Sequence, residues 1–234
     1  LGIVVLFVAV LPLLGVGGKR LYQVEAPGPK QPGVTPRIGQ TARLLWIIYL
    51  GLTIAQTLAL RLCGMGWFDS VCHTFATLAT GGFSTRGASI AAWDSWAVDT
   101  VTVVFMLLAG VNFGLYYQAL QGRAKSVWKD TELRAYLLIL LVASLVVAYG
   151  LLGSRIVTTA GEELAADLPN ALRYAVFQVV ALQTTTGFCT ADFDQWPFLT
   201  KAVLVLLMFV GGSAGSTGGG IKVIRILVAV KVLW

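Results

Sequence analysis

Charged residues are scarce in this sequence: they make up 12% of its 234 residues, against about 25% in an ordinary soluble domain. Hydrophobic residues make up 57%, and several apolar runs are long enough to cross a bilayer. The composition excludes a water-soluble globular domain. It predicts an integral membrane protein whose solvent is the lipid bilayer.

Histidine and cysteine are rare as well, with one and three residues respectively. Cys63, Cys72 and Cys189 are odd in number and lack the spacing of metal ligands. We therefore expect them to be small packing residues, and we expect His73 to pack within its helix. No cofactor is expected in this chain.

The basic residues are segregated along the chain, although the net charge is +6. Twelve of the seventeen lie in the stretches 19–43, 122–134 and 222–231 with only three acids, and the other eight acids lie in the remaining loops. Segregation of this kind follows the positive-inside rule rather than the basic stripe of a nucleic-acid-binding protein. It places loops 19–43 and 122–134 in the cytoplasm and predicts no nucleic-acid partner.

The first apolar run, "LGIVVLFVAVLPLLGVGG", lacks the basic leader and small-residue cleavage site of a signal peptide. The chain starts without Met inside this run and stops at Trp234 inside another. We therefore expect a fragment of a longer protein.

Five segments follow from the hydropathy pattern and the proline and glycine positions. They are the end of a membrane helix (1–24), a proline-rich cytoplasmic linker (25–41), a first unit (42–121), a cytoplasmic loop (122–133) and a second unit (134–234). The first unit is predicted to hold long helices at about 42–63 and 96–120 and a short helix at 67–79. The second holds a long helix at about 134–153, a polar segment, a short helix at 170–184 and a final apolar run.

The two units are related by a shift of 105 residues. This shift aligns "ATLATGGFST" (76–85) with "ALQTTTGFCT" (181–190), each at the end of a short helix. The short helices fall below the roughly 20 residues that span a bilayer. If they crossed it, the basic and acidic loops would share a side, so we predict re-entrant half-helices in an internal repeat.

The glycine turns after the short helices suggest a cation path. A helix C-terminus directs partial negative charge into the membrane, and glycine permits angles at which successive carbonyl groups face one axis. Neither turn contains an acidic residue. Selection would then rest on backbone oxygens, as in potassium filters, and would suit a large, weakly hydrated monovalent cation.

This order of helix, pore helix, filter and helix resembles the Trk/Ktr/HKT superfamily of potassium transporters, most closely the bacterial Trk-type uptake subunit. The stretches that carry the resemblance are "LPLLGVGGKRLYQVEAPGP", "FATLATGGFSTRGASI", "QTTTGFCT" and "GGSAGSTGGGIKVIRIL". The resemblance implies an all-α membrane protein with four repeats around one pore. This chain would hold the end of repeat one, repeat two and repeat three as far as its second long helix.

Two of the four filter quarters would then lie in this chain, at 80–84 and 185–189, with K⁺ bound along them. The residues implied are Thr80, Gly81, Gly82 and Phe83 in one quarter, and Thr185, Thr186, Gly187 and Phe188 in the other. In this superfamily the filter glycine is associated with potassium preference. A sodium or mixed monovalent cation transporter of the same superfamily is the alternative.

A glycine-rich tract interrupts the last apolar run, and the resemblance implies that it is an intramembrane gate below the filter. Its residues are Gly211, Gly212, Ser213, Ala214, Gly215, Ser216, Thr217, Gly218, Gly219 and Gly220. The resemblance further implies potassium uptake, with symport among its modes, a homodimer, a cytoplasmic nucleotide-binding regulatory subunit and a bacterial inner membrane location.

The glycine tract has two alternative interpretations, a phosphate-binding loop and the nucleophile segment of a serine hydrolase. A phosphate-binding loop requires G-K-[ST] after a strand, whereas the order here is Gly220-Ile221-Lys222-Val223 between apolar helices. An intramembrane serine hydrolase would need a base for Ser213 or Ser216, and its sole histidine candidate is His73. That hypothesis also leaves the repeat unexplained, so we do not expect an enzyme.

Three polar residues near the predicted path remain ambiguous from sequence. Asn112 lies within the helix predicted at 96–120, where interhelical packing and pore lining are equally plausible roles for a polar group. Lys222 and Arg225 could face the pore mouth, but a cytoplasmic anchor is the preferred interpretation.

Overall fold

The structure is a computed structural model that describes residues 38–233, which are mostly helical. Its helices are α1 (Ile38–Leu62), α2 (Trp67–Leu78), α3 (Trp96–Ala109), α4 (Phe113–Leu120), α5 (Ala124–Trp128), α6 (Thr131–Leu151), α7 (Leu168–Gln183), α8 (Phe198–Phe209) and α9 (Val223–Leu233). The segment predicted at 1–24 lies outside the described residues. So does most of the linker predicted at 25–41, which ends early because α1 begins at Ile38.

Two helices, α1 and α6, are each long and apolar enough to cross a membrane. The bent pair α3 and α4 would make a third span if it is counted as one. On α1, large apolar side chains such as Ile47, Leu50 and Ile54 are exposed on the outer surface. A spanning helix carries such a surface when lipid or another membrane helix covers it.

The two short helices begin and end for local reasons. Helix α7 is capped by Asp167, whose carboxylate accepts the N–H of Asn170 at 3.1 Å, and Pro169 lies in its first turn. Helix α2 carries Asp69 in its first turn, where the helix dipole favours an acid. Helix α2 has 12 residues and helix α7 has 16. Both are shorter than the roughly 20 residues needed to span a bilayer.

The long helix predicted at 96–120 is wrong, because the chain breaks between α3 and α4 and their axes bend by 92°. Asn112 does not lie within a helix. Its side-chain oxygen accepts the N–H of Gly114 at 2.8 Å and so caps the start of α4. Hydropathy alone misses the break because the flanking residues are apolar on both sides.

The polar segment after α6 forms a small antiparallel hairpin of β1 (Arg155–Val157) and β2 (Glu163–Ala165). Ile156 pairs with Leu164 at its centre. The hairpin also contacts the segment that follows α7, since the Thr159 N–H donates to the Thr190 carbonyl at 3.2 Å. The backbone polar groups of this connection are thereby satisfied within the protein.

The buried core is centred on α6 and α7 of the second unit, and it joins the first unit where the Tyr136 hydroxyl donates to the Leu107 carbonyl of α3 at 3.3 Å. Tyr136 on α6 and Phe177 on α7 are fully buried there. A second link is ionic: the guanidinium of Arg173 on α7 donates to Asp99 on α3 at 2.6 Å and to Asp94 at 3.2 Å. The side chains of Arg173 and Asp99 are both buried, so α7 of the second unit is fixed to α3 of the first.

Gly110, at the break between α3 and α4, should not accept a side chain. A Cβ placed there would lie 2.3 Å from the Tyr136 hydroxyl and 3.2 Å from Thr184 Cγ2. We predict that Gly110→Ala destabilises the full-length protein by about 1–3 kcal/mol, the usual cost of overpacking. Thermal unfolding in detergent measures this effect.

Two variants make that measurement specific. Gly87→Ala is the control, because nothing lies within 4 Å of a Cβ at Gly87. Adding Tyr136→Phe to Gly110→Ala removes the hydroxyl and should recover part of the loss. Equal unfolding temperatures for Gly110→Ala and Gly87→Ala would contradict the packing described here.

Candidate functional site

The turns that follow α2 and α7 have the same backbone conformation. We call them the first glycine turn (80–83) and the second glycine turn (185–188). Thr80 and Thr185 have φ angles of 51° and 58°, and Gly82 and Gly187 have φ angles of 66° and 81°. A positive φ is uncommon for a β-branched residue, and such strain persists only where surrounding structure enforces it.

The hydrogen bonds of the two turns match as closely as their angles. The carbonyl of Ala76 accepts the N–H groups of Gly81 and Gly82 at 2.7 and 3.4 Å. The carbonyl of Ala181 accepts those of Thr186 and Gly187 at 2.9 and 3.0 Å. These bonds leave the turn carbonyls outside the helical ladder, where they can bind another partner.

The structure brings the two turns into direct contact. A Cβ on Gly82 would lie 2.1 Å from the carbonyl oxygen of Thr186, so only glycine allows the backbones to approach this closely. The aromatic residues of the turns differ: Phe83 is 82% exposed, whereas Phe188 is fully buried. The two turns therefore share a backbone conformation but differ in the burial of their phenylalanine side chains.

The glycine tract, residues 211–220, lies against both turns through the two strained threonines. The hydroxyl of Thr80 donates to the Thr217 carbonyl at 3.1 Å. The hydroxyl oxygen of Thr185 accepts the N–H of Gly219 at 2.6 Å. Equivalent residues of the two units thus hold one segment of non-helical backbone.

The tract also fills the break between α3 and α4. The carbonyls of Gly110 and Ala109 accept the N–H groups of Ser213 and Thr217 at 2.9 and 3.2 Å. In return, the Phe113 N–H donates to the Gly215 carbonyl at 3.1 Å. The break between α3 and α4 and the tract between α8 and α9 therefore satisfy each other's backbone groups.

Asn112 takes part in this packing in addition to capping α4. A Cβ on Gly215 would lie 2.9 Å from Asn112 Oδ1, and the φ of Gly215 is 72°. The amide therefore faces the tract, and Gly215 is required both by its backbone angle and by its close neighbour.

The ends of the tract lie side by side, which explains the glycines there. The Gly211 N–H donates to the Ile221 carbonyl at 3.0 Å, and the Ile221 N–H donates to the Phe209 carbonyl at 3.2 Å. A Cβ on Gly211 would lie 1.9 Å from the Gly219 carbonyl oxygen. The tract is thus a closed loop between α8 and α9.

Two charged residues fix this loop, and sequence reasoning did not assign either of them to it. The buried carboxylate of Glu132, in the first turn of α6, accepts the N–H groups of Ala214 at 2.7 Å and Ile224 at 3.1 Å. The ammonium group of Lys222 donates to the Gly218 carbonyl. Lys222 is buried, so its interpretation as a cytoplasmic anchor is wrong. The available signal was a charge beside an apolar run, where a charge usually has a specific partner.

The serine hydrolase hypothesis finds no support at this site. The ring nitrogens of His73 contact the Asp69 carbonyl at 2.7 Å and the Ser84 hydroxyl at 2.8 Å. The Ser216 hydroxyl donates to the Ser213 carbonyl at 2.6 Å. The histidine is engaged elsewhere and does not serve either serine as a base. The phosphate-loop alternative fails as well, because helices rather than a strand flank the tract.

Fold and site together define a helical membrane protein with repeated short helices, each ending in a glycine turn, and a broken helix packed beneath the turns. The chain belongs to the TrkH family of cation transport proteins, whose sequence profile matches residues 1–233.

Relatives of known name agree with this assignment. The chain is 46% identical to the Trk system potassium uptake protein TrkH of Vibrio parahaemolyticus, over 97% of this chain and 46% of that protein. It is 44% identical to the protein of the same name from Escherichia coli K12, over 99% and 47%. Its fold matches the crystal structure of the potassium transporter TrkH from V. parahaemolyticus with a TM-score of 0.76, at 42% identity and over 98% and 45% of the two chains.

These comparisons confirm the predicted superfamily and the helical membrane fold. The relatives are named as transport proteins, in agreement with the expectation that the chain is not an enzyme. The chain spans just under half the length of the relatives it matches.

The two turn glycines should differ in their tolerance of alanine. Both have a positive φ, which costs a residue with a Cβ about 1–2 kcal/mol. Only Gly82 also meets a backbone atom, since nothing lies within 4 Å of a Cβ on Gly187. We predict that Gly82→Ala lowers the unfolding temperature of the full-length protein clearly more than Gly187→Ala. Equal losses would show that the turns do not touch as described.

Removal of the Glu132 carboxylate should loosen the glycine tract. Glu132→Ala leaves the Ala214 and Ile224 N–H groups unpaired, at a cost of about 1–3 kcal/mol for a buried polar group. Hydrogen exchange over residues 211–224, together with thermal unfolding, measures the effect. Glu132→Gln keeps an acceptor oxygen and should lose less.

Glu163→Ala is the control for that experiment. Glu163 is exposed and pairs with the exposed Arg155 at 3.5 Å, so its loss should change stability by less than about 1 kcal/mol. If Glu132→Ala exchanged no faster than Glu163→Ala across the tract, the proposed role of Glu132 would be wrong.

Proposed function

We propose that this chain forms part of a potassium uptake protein and helps to conduct K⁺ passively through a carbonyl-lined constriction. The observation that carries this proposal is the pair of matching glycine turns at the ends of two short helices, whose carbonyls accept no hydrogen bond from residues 38–233. The names of the relatives support potassium as the cargo. No catalytic group is needed for this function.

In this proposal the turns are two of four quarters of a selectivity filter. One quarter consists of Thr80, Gly81, Gly82 and Phe83, and the other consists of Thr185, Thr186, Gly187 and Phe188. Their carbonyl oxygens would replace the hydration shell of the ion, and the helix C-termini behind them would add partial negative charge. The contact of Gly82 with the Thr186 carbonyl supports adjacent placement of the two quarters.

Potassium is favoured over sodium because the turns offer neutral oxygens only. Neither glycine turn contains a carboxylate, and a weakly hydrated cation loses its water to neutral ligands most readily. A sodium or mixed monovalent cation transporter remains the alternative. Uptake assays with competing Na⁺ separate the two.

The glycine tract would act as the gate below this filter. Its support is the pair of hydrogen bonds from Thr80 and Thr185, through which a movement of the tract would reach both quarters at once. Its glycines permit such a movement, because glycine allows a wide range of backbone angles, and Gly215 and Gly220 already have φ angles of 72° and 67°.

We further propose a bacterial inner membrane location, a homodimer and a cytoplasmic nucleotide-binding regulatory subunit. The relatives are named as members of a Trk system, which is consistent with further components. The basic loops 19–43 and 122–134 would face that subunit, according to their charge.

Growth of a potassium-uptake-deficient bacterium tests the central proposal. The full-length protein should restore growth at low K⁺, and a filter variant such as Gly187→Ala should restore it less well at the same expression level. Failure of the wild-type protein to support K⁺ uptake, when it is folded in the membrane, would overturn the proposed function.

Shortening the tract tests the gate. Deletion of Gly218 and Gly219, which lie against Thr184 and Thr185, should raise basal cation flux through the full-length protein reconstituted in vesicles. Deletion of the exposed Gly122 and Arg123 is the control and should leave flux unchanged. Unchanged flux in a correctly folded protein lacking Gly218 and Gly219 would exclude the tract as a gate.

A further inference from the structure

Each short helix also contacts the residues that leave its glycine turn, through one side chain. His73 on α2 and Gln178 on α7 are fully buried and lie 105 residues apart, at equivalent positions of the two units. The Nε2 atom of His73 lies 2.8 Å from the Ser84 hydroxyl oxygen. The Nε2 amide of Gln178 donates to the Cys189 sulfur at 3.7 Å, and Ser84 and Cys189 are themselves equivalent.

The proton positions of the first contact follow from its neighbours. His73 Nδ1 lies 2.7 Å from the Asp69 carbonyl, which can only accept, so Nδ1 carries the proton of the neutral ring. His73 Nε2 must then accept from the Ser84 hydroxyl. That oxygen also accepts the Arg86 N–H at 3.1 Å. Ser84 is thus held in one orientation.

The first contact also reaches the other unit. The ring of His73 stacks on Phe188 of the second glycine turn, with centroids 5.8 Å apart and planes inclined by 25°. In the second unit, the Cys189 N–H donates to the Ser89 hydroxyl oxygen at 3.3 Å, across to the first unit. The same residues therefore hold each turn and join the two turns.

We propose that His73–Ser84 and Gln178–Cys189 are matched braces that position the two filter turns and so set the ion selectivity of the pore. This inference rests on the proposed function. At its start, each turn is tied to its helix through Ala76 or Ala181, and the brace ties its far end to the same helix. A strained turn keeps its shape only under such enclosure, and selection by carbonyl placement needs supporting groups that are themselves fixed.

The two braces differ in chemistry and should differ in their effect on ion selectivity. A hydroxyl-to-imidazole hydrogen bond at 2.8 Å is stronger than an amide-to-thiol contact at 3.7 Å, because sulfur is a weak acceptor. His73 also stacks on Phe188, whereas Gln178 has no ring with which to stack. Loss of the first brace should therefore impair selectivity more than loss of the second.

A double-mutant cycle in the full-length protein tests the first brace. The variants are His73→Leu, Ser84→Ala and their combination, and the measurement is the ratio of K⁺ to Na⁺ uptake in vesicles. Each single change should lower the ratio about three- to tenfold, the value of one hydrogen bond. The combination should be no worse than the more severe single change, since both remove one contact.

Transplantation of the second brace into the first unit gives the matched rescue. His73→Gln with Ser84→Cys reproduces the pair found at Gln178 and Cys189, and it should retain more selectivity than the combination of His73→Leu and Ser84→Ala. Thr100→Ala is the control, because it removes a hydroxyl-to-carbonyl hydrogen bond on the exposed surface of α3. It should leave the ratio unchanged.

A readout that does not depend on transport tests the second brace. Gln178→Leu should lower the alkylation rate of Cys189 by a small thiol reagent, measured by mass spectrometry of its peptide, because the reacting thiolate loses the amide N–H that donates to its sulfur. The rate at Cys63 is the internal control. An unchanged Cys189 rate would overturn this brace even in a protein that transports normally.

The outcomes separate the two proposals. Additive losses in the cycle, or a K⁺ to Na⁺ ratio that no brace variant changes, would overturn the braces while leaving potassium uptake intact. A wild-type protein without K⁺ uptake would overturn the proposed function, and the Cys189 measurement would still decide whether the second brace exists.

Discussion

Backbone that is not helical has no water to satisfy its N–H and C=O groups inside a bilayer, so each group must find a partner in the protein. The glycine tract at 211–220 poses this problem most severely, because its ten residues lie outside the helical ladders of α8 and α9. Six of its ten N–H groups are hydrogen-bonded within residues 38–233, and their partners include the α3–α4 break, the second glycine turn and Glu132. The rest of the fold is arranged around this requirement, since the break, the turns and the buried carboxylate each supply partners to one loop.

The same constraint accounts for the charges at the site. A buried carboxylate is costly unless it is hydrogen-bonded, and Glu132 accepts the N–H groups of Ala214 in the tract and Ile224 at the start of α9. Lys222 donates to a tract carbonyl in the same way. Both charges are therefore explained by packing. Neither needs to contact an ion, which is consistent with a path lined by neutral oxygens.

Much of the organisation was readable from periodicity and composition. The short helices, the 105-residue repeat and the glycine turns depend on local pattern, and the structure places α2 and α7 within two residues of the predicted bounds. The helix predicted at 96–120 failed because the break depends on a partner distant in sequence. Asn112 caps α4 and faces Gly215, and no feature of "LAGVNFGLYY" reveals that contact.

The sequence by itself determined that the chain enters a membrane, that it contains a repeat, and that two glycines lie where a left-handed backbone follows a short helix. These properties depend on hydropathy, helix length and the conformational range of single residues, which are local quantities. Only the tertiary structure decided that Gly82 meets the Thr186 carbonyl, that Thr80 and Thr185 hold one tract, and that Glu132 binds that tract at Ala214. These contacts join residues far apart in the chain. Their geometry depends on how the helices pack, and the order of the helices along the chain does not determine that packing.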